Sequence, residues 1–235
     1  MSDVSLWNKY CDFYERDFSA QMENSRKKIG EYFQRWRRTA LARMLCGRQP
    51  DRLKEVPITT YSDYPILEEF GVEISTIRDR TRRQKGELYK DYYDRISAEL
   101  GTSLNEYMAE PYYCCMLTTG TMGKYKWLVV GKSFWENLQA SAISTAVLAC
   151  SDSWGESTIE RRDKGLNINA PIPLLSGWAA WASQSEFELV PSIDVRDNIP
   201  NFKDVVSLVL KLIEKGERIS LAGGVGSLFY MMCKY

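Results

Sequence analysis

The sequence YYCCMLTTGTMGKYKWLVV at residues 112–130 decides the expected fold. Residues 112–117 form a short apolar run between Pro111 and a cluster of Thr and Gly, which is typical of a buried strand. The apolar residues 127–130 predict a second strand. The Thr- and Gly-rich segment 118–126 is therefore predicted to be a loop that joins two strands.

Strands and helices alternate beyond this segment. Ser133 and Glu136 have the spacing of a capping box, so we expect a helix with Ser133 as its N-cap that runs to about Cys150. Further patterns predict a strand, turn and helix over residues 170–178, an amphipathic helix over 202–215 ended by Gly216, and a strand over 218–222. This alternation predicts an α/β fold in which a layered sheet is flanked by helices.

The chain before residue 111 is mainly helical by pattern. Apolar residues recur at helical spacing over residues 5–46, and basic residues cluster between Lys27 and Arg43. Such a cluster fits an anion- or membrane-binding helix, but acidic residues on the same segment favour an ordinary solvated face. We therefore predict a helical region at residues 1–110 that packs on an α/β part at residues 111–235, within one structural domain.

A Pro-containing segment, VPITTYSDY at residues 56–64, interrupts the helical pattern. Pro57 favours extended backbone at Val56. Ser62 or Asp63 is a candidate cap for a short helix that runs on to Phe70.

Composition excludes several classes of function. Lys plus Arg equals Asp plus Glu at 31 each, which argues against nucleic acid as a partner. The absence of His excludes Ser-His-Asp and Cys-His nucleophile systems and His-ligated metal sites within this chain. The six cysteines form no C-x-x-C pair, and neither a signal peptide nor a membrane-spanning run is visible, so we expect a cytoplasmic protein with reduced thiols.

The segment 118–126 has the composition of a phosphate-binding loop. Glycines let backbone N–H groups converge on an anion, hydroxyls donate hydrogen bonds, and lysines neutralise phosphate charge. The candidate residues are Thr118, Thr119, Gly120, Thr121, Gly123, Lys124 and Lys126. Because such clusters are also common in turns, the residues alone leave an ordinary hairpin with surface lysines as an alternative.

Two better-known phosphate loops do not fit this sequence. Gly120 and Gly123 are too close together for the P-loop pattern G-x-x-x-x-G-K-[ST], and the segment runs into a strand instead of a helix. The dinucleotide pattern G-x-G-x-x-G fails both here and at GGVG, residues 223–226. We interpret that second glycine cluster as a turn in which two backbones approach closely.

The loop segment resembles the phosphate loop of the acyl-adenylating superfamily, which has a Ser/Thr run, Gly-Thr, a small residue, Gly and then Lys. More narrowly, the chain resembles the auxin-responsive promoter family, the acyl-acid–amido synthetase branch of that superfamily. VPITTYSDY at residues 56–64 is similar to the branch's Val-Pro-x-x-x-Tyr-x-Asp segment, and ISLAGGVGSL at residues 219–228 is similar to a later one. The three segments span residues 56–228, and the loop is the specific one.

The resemblance implies adenylation of a small carboxylic acid by ATP with Mg²⁺, followed by acyl transfer to an amino-acid or thiol acceptor. It implies a catalytic role for Lys126 and phosphate contacts for the other candidate loop residues. It also places Ser176, Gly177 and Gly224 near the acid, although core packing is the interpretation that the residues around Gly177 favour. Met122, where a Thr or Ser is commoner, removes one hydroxyl from the loop.

Family members continue with adenine-, ribose- and magnesium-binding motifs and a mobile C-terminal domain. Because this chain ends at Tyr235, we expect it to be the N-terminal portion of such a ligase, with negligible turnover by itself. The alternatives are a non-catalytic nucleotide- or anion-binding module and an interaction module in which the loop is only a hairpin. The sequence does not determine the acid, the acceptor or the oligomeric state.

Overall fold

A computed structural model describes residues 5–100, 104–118, 126–193 and 202–224. Its helices are α1 (Leu6–Tyr10), α2 (Asp12–Glu15), α3 (Phe18–Trp36), α4 (Ala40–Cys46), α5 (Pro65–Arg80), α6 (Tyr89–Leu100), α7 (Lys132–Ala149), α8 (Leu175–Ser183) and α9 (Phe202–Glu214). Its strands are β1 (Tyr112–Thr118), β2 (Lys126–Gly131), β3 (Lys164–Ile168), β4 (Glu188–Val190) and β5 (Ile219–Gly224). The chain is thus mixed α/β, as its sequence predicts, with small sheets.

Tertiary contacts divide the chain into two compact units. The first, called here the hairpin unit, is Arg16–Glu136. The second, the parallel-sheet unit, combines Met1–Glu15 with Asn137–Tyr235. The division falls within α7.

Polar caps divide residues 5–46 into successive helices. The side chains of Ser5, Asp17 and Thr39 each accept a hydrogen bond from the backbone N–H three residues later, at 3.2, 2.8 and 3.1 Å. Each bond satisfies one N–H that a helix leaves without an internal partner. Gly47 ends α4 with a φ of 68°, a conformation that glycine adopts without steric cost. The predicted helical region is therefore confirmed, with breaks at the caps.

The hairpin unit is built around the antiparallel pair β1 and β2. Their register runs from Tyr112 opposite Gly131 to Thr118 opposite Lys126, with an irregularity between Tyr112 and Cys114. The middle of β1 is buried, since Cys114, Cys115 and Met116 expose 2% or less of their surface. Helix α5 packs against β2, and α6 packs against β1. Both strands predicted from the sequence are confirmed.

The parallel-sheet unit contains a sheet in the order β4-β3-β5, in which β3 pairs in parallel with both neighbours. Leu166 and Ile168 of β3 pack with Val205 of α9. Leu6 and Trp7 of α1 are buried in a second cluster together with residues of α7. The predicted helix over residues 202–215 and the predicted strand over 218–222 are confirmed by α9 and β5.

The predicted capping box at the start of α7 is wrong. The helix already begins at Lys132, so Ser133 lies inside its first turn. Ser133 donates from its backbone N and from its hydroxyl to the carboxylate of Glu110, the hydroxyl bond measuring 2.6 Å. Glu136 pairs instead with Lys132, at 3.7 Å. A carboxylate distant in sequence therefore satisfies this helix start, which no local pattern reveals.

Two other local predictions need correction. Neither Ser62 nor Asp63 caps α5, which begins at Pro65, a residue suited to the first turn because it has no N–H to satisfy. Asp63 instead completes a capping box with Thr60 around a short 3₁₀ turn. The strand expected within residues 170–178 lies earlier in the chain, as β3, while the helix that follows begins at Leu175 as expected.

Candidate functional site

The last residue pair of the β1–β2 hairpin is Thr118 opposite Lys126. The Thr118 hydroxyl donates to the carbonyl oxygen of Lys126 across the pair, at 3.3 Å. The candidate loop residues Thr119, Gly120, Thr121, Gly123 and Lys124 lie outside the described residues. Of the predicted phosphate-binding set, the structure thus places Thr118 and Lys126 together at the base of the segment 119–125.

The ammonium of Lys126 lies over the ring of Tyr61, with Nζ 4.5 Å from the ring centroid. This is a cation–π contact, in which the ring's negative face attracts the charge. Within the described part of the chain, Lys126 forms no ion pair with a carboxylate. Its positive charge is therefore held in place without being neutralised, which suits an anion-binding role.

Lys126 lines a groove of about 710 Å³ between α5 and the hairpin. A Cβ added at Gly71 of α5 would lie 3.1 Å from the Trp127 ring, so glycine permits the close approach of α5 to β2 that shapes the groove. The other charged lining residues are Glu68, Arg78 and Asp79. Arg78 and Asp79 pair with each other at 3.7 Å.

Tyr61 is held by a turn with several hydrogen bonds. The Asp63 carboxylate accepts from the backbone N of Thr60 at 2.6 Å and from its hydroxyl at 3.0 Å. These bonds, with the backbone bond first, lower the pKa of Asp63. Burial, and next the charge of Glu68, raise the pKa of Tyr61, so its phenol stays neutral at physiological pH. From the sequence, this segment was predicted to hold a helix cap and to resemble a family segment, and no role at the site was predicted for Tyr61.

A second cavity, of about 700 Å³, lies within the parallel-sheet unit between α7, α8 and the sheet. Its described lining residues include no Asp, Glu, Lys or Arg. Small side chains such as Ala142, Ala179 and Ser176 dominate the helical walls. The cavity is therefore suited to the uncharged body of a small molecule.

Ser176 is the predicted acid-contacting residue that lines this cavity. Gly177 is buried and does not line the cavity. A Cβ added there would point at the preceding backbone and lie 2.5 Å from the carbonyl carbon of Pro171. Gly224 at the end of β5 is equally close to Ile168, at 2.5 Å from its carbonyl carbon. Both glycines thus permit close backbone approach. For Gly224 this approach was predicted, but the predicted turn is wrong at Gly223 and Gly224, which end strand β5, and residues 225 and 226 lie outside the described residues.

An asparagine pair at the carboxyl end of β3 escaped sequence analysis. Asn167 is completely buried; its Nδ2 donates to the Pro191 carbonyl at 3.1 Å, and its Oδ1 accepts from Asn169 Nδ2 at 3.1 Å. Asn169, which lines the cavity, also donates to the carbonyl of Gly223 at 3.2 Å. The pair ties together the ends of three strands, the edge where α/β sheets bind ligands. The signal that was available is the presence of two Asn residues separated by one position in a largely apolar run.

A second group that sequence analysis missed surrounds Glu186. Its carboxylate accepts from Lys9 Nζ and Tyr10 Oη, both at 2.6 Å, and from Arg161 Nε at 2.8 Å. The Glu186 side chain is 2% exposed, whereas Lys9 and Arg161 are 49% and 48% exposed. Burial disfavours the charge of Glu186, but the bonds from Lys9 and Tyr10 outweigh it and lower the pKa. Three donors, two of them cationic, converge on this buried carboxylate, so we assign the cluster a structural role.

Within the described ranges, no group of three or more Cys, Asp or Glu side chains is placed to hold a metal. Mg²⁺ is commonly held in proteins by substrate phosphates and only one or two carboxylates. In the same ranges, no helix has the length and apolar content needed to cross a bilayer.

No family model, curated protein or solved structure matches this chain.

Proposed function

We propose that this chain binds ATP with Mg²⁺ through residues 118–126 and serves the adenylation of a small carboxylic acid. The observation that carries the proposal is the ammonium of Lys126, which has no carboxylate partner among the described residues and lies at the base of a segment rich in Gly, Thr and Lys. A positive charge that neighbouring residues hold in a groove but do not neutralise is able to attract an anion.

The chemistry follows from where charge develops. In adenylation, a carboxylate oxygen forms a bond to the α-phosphorus, the bond from that phosphorus to the bridging oxygen breaks, and pyrophosphate leaves with the electron pair. We propose that Lys126, with the hydroxyls and backbone N–H groups of Thr118, Thr119, Gly120, Thr121 and Gly123 and the charge of Lys124, stabilises the departing phosphates.

We further propose that the uncharged cavity beside Ser176 receives the body of the acid. Its lining gives a charged group no counter-ion, so it suits an aliphatic or aromatic group whose carboxylate remains outside. The acyl group then passes to an amine or thiol acceptor, as the resemblance to the acyl-acid–amido synthetases implies.

Calorimetric titration with ATP·Mg²⁺ and with inorganic pyrophosphate tests nucleotide binding directly. Lys126→Ala and Thr119→Ala are expected to weaken both ligands, Lys126→Ala by about tenfold or more, since a hydrogen bond to a charged group contributes about 1.5–3 kcal/mol. Lys132→Ala is the matched control: it removes the same charge from a side chain that is 72% exposed and paired with Glu136 outside the groove. Equal effects of Lys126→Ala and Lys132→Ala, or no binding by the wild type, would contradict the proposal.

Exchange of labelled pyrophosphate into ATP separates catalysis from binding. Exchange that depends on an added carboxylic acid supports adenylation by this chain. Binding without exchange favours the alternative of a non-catalytic nucleotide- or anion-binding module.

A further inference from the structure

We propose that Tyr61 is a positioning residue for the phosphate site: its ring holds the Lys126 ammonium at the base of residues 119–125 while leaving the charge unneutralised. The inference rests on the proposed function and extends it to a segment more than fifty residues earlier in the chain. It concerns orientation, since Tyr61 is assigned no contact with the nucleotide.

The first support is the geometry of the contact. Nζ of Lys126 lies 4.5 Å from the ring centroid of Tyr61, and both residues line the same groove. A lysine side chain loses rotamer entropy when a ligand fixes it. A ring that already restricts the ammonium reduces that loss, so the site is organised before the anion arrives.

The second support is the choice of an aromatic ring over a carboxylate. Glu68 and Asp79 line the groove as well, yet the structure, where it describes the chain, pairs neither with Lys126. A carboxylate partner would hold the ammonium more strongly but would also cancel the charge that phosphate needs. An aromatic face attracts a cation without carrying a net charge, so Lys126 retains its full attraction for an anion on its other side.

The third support is the rigidity of the turn that carries Tyr61. The ring belongs to the 3₁₀ turn Tyr61–Asp63, closed by the reciprocal bonds between Thr60 and Asp63. Thr59 precedes the turn and Tyr64 follows it, and their hydroxyls form a further hydrogen bond of 2.7 Å. The polar residues of the segment VPITTYSDY thus fix the backbone on both sides of one aromatic ring.

Two substitutions separate the ring from the hydroxyl. Tyr61→Phe keeps the aromatic face and removes only the phenol oxygen, whereas Tyr61→Leu keeps an apolar side chain and removes the face. Titrations with ATP·Mg²⁺ and pyrophosphate are expected to give near-wild-type affinity for Tyr61→Phe and about three- to tenfold weaker binding for Tyr61→Leu. In the Lys126→Ala background the Tyr61→Leu effect is expected to vanish, because no ammonium remains to be positioned.

The position of Lys126 is measurable without any nucleotide. In protein labelled with ¹³C-lysine, the Cε protons of Lys126, assigned with a Lys126→Arg variant, are expected to be shifted upfield by the Tyr61 ring. The shift is expected to persist in Tyr61→Phe and to disappear in Tyr61→Leu, with an unchanged melting temperature showing that Tyr61→Leu is folded.

The two hypotheses fail in different ways. If the wild type binds ATP·Mg²⁺ and Tyr61→Leu binds it equally well or more tightly, the positioning role is wrong while the proposed function stands. An absent ring-current shift in the wild type also overturns the positioning role. If the wild type binds neither ligand although the shift is present, the proposed function fails and the contact has only a structural meaning.

Discussion

The hairpin unit and the parallel-sheet unit arrange their charged side chains in opposite ways. In the parallel-sheet unit, three donors converge on the buried carboxylate of Glu186, and the cavity has no charged residue in its described lining. In the hairpin unit, the Lys126 ammonium lies over an aromatic ring in a groove that also contains carboxylates. A fully paired charge stabilises the fold, whereas a charge held without a counter-ion remains available to a ligand. Our proposal uses this difference to separate structural charges from charges that can bind a ligand.

Removing the paired charge provides the severest test of this contrast. Glu186→Ala is expected to lower the free energy of unfolding by about 3 kcal/mol, because Tyr10 loses its acceptor and two cations lose their shared counter-ion. Urea unfolding measures the change. Glu188→Ala, which removes a carboxylate that is 57% exposed and 3.6 Å from Lys164, is the control and is expected to change stability by less than about 1 kcal/mol. Similar values for the two variants would contradict the structural role of Glu186.

The same cluster predicts a pH dependence with a definite sign. The pKa of Glu186 is lowered from an ordinary value of 4.5, so its ionised form is favoured by folding. Its stabilisation is complete above that value and is lost as the pH falls through 4.5 towards the folded-state pKa. The difference in unfolding free energy between wild type and Glu186→Gln should therefore be constant near neutral pH and shrink below about pH 4.5. A difference that grows on acidification would contradict this assignment.

Gly177 tests whether a predicted substrate residue is instead a packing residue. In Gly177→Ala the new methyl would meet backbone atoms at 2.5 to 2.7 Å, which cannot move aside as a flexible side chain would. We expect a loss of about 2 kcal/mol in unfolding free energy. Gly30→Ala on α3 is the matched control, since its Cβ meets nothing within 4 Å and alanine favours the helix by up to about 1 kcal/mol. A neutral Gly177→Ala variant with altered acid binding would favour the substrate role.

Filling the uncharged cavity tests its proposed ligand. Ala142→Leu projects into about 700 Å³ of space, so it should change stability by less than about 1 kcal/mol. Ala42→Leu, the same substitution at a fully buried helical residue of the hairpin unit, should cost more. Saturation-transfer NMR with benzoate and hexanoate measures occupancy. Weaker transfer in Ala142→Leu supports the cavity as the acid site, whereas unchanged transfer places the acid elsewhere.

The smallest expected effect is that of Lys126→Ala on stability. Because a ring is the only partner of the ammonium among the described residues, its removal should change the unfolding free energy by about 0.5 kcal/mol or less. The same variant is expected to weaken pyrophosphate binding strongly, so function and stability separate at this residue. A large loss of stability would mean that Lys126 is a structural charge, as Glu186 is, and would remove the contrast between the two units.

Local chemistry explains which elements the sequence predicted well. Strands β1 and β2 follow from short apolar runs bounded by Pro, Thr and Gly, and helix α9 follows from its apolar periodicity and Gly216. The caps at Asp17 and Thr39 were not predicted, although they lie where polar residues precede helical patterns. Each of these signals acts over a few residues, so the sequence itself contains it. The start of α7 was mispredicted because its partner, Glu110, lies 23 residues away.

The sequence by itself determined the α/β class and selected Lys126 as a candidate anion-binding residue, because composition and periodicity are local properties. Only the tertiary structure decided which charges are paired. It brings Glu186 together with Lys9 across 177 residues, and it places Tyr61 against Lys126. Coulomb and cation–π energies depend on distances of a few ångströms, which a linear sequence does not encode. The distinction between a structural charge and an available one therefore arises only when the chain has folded.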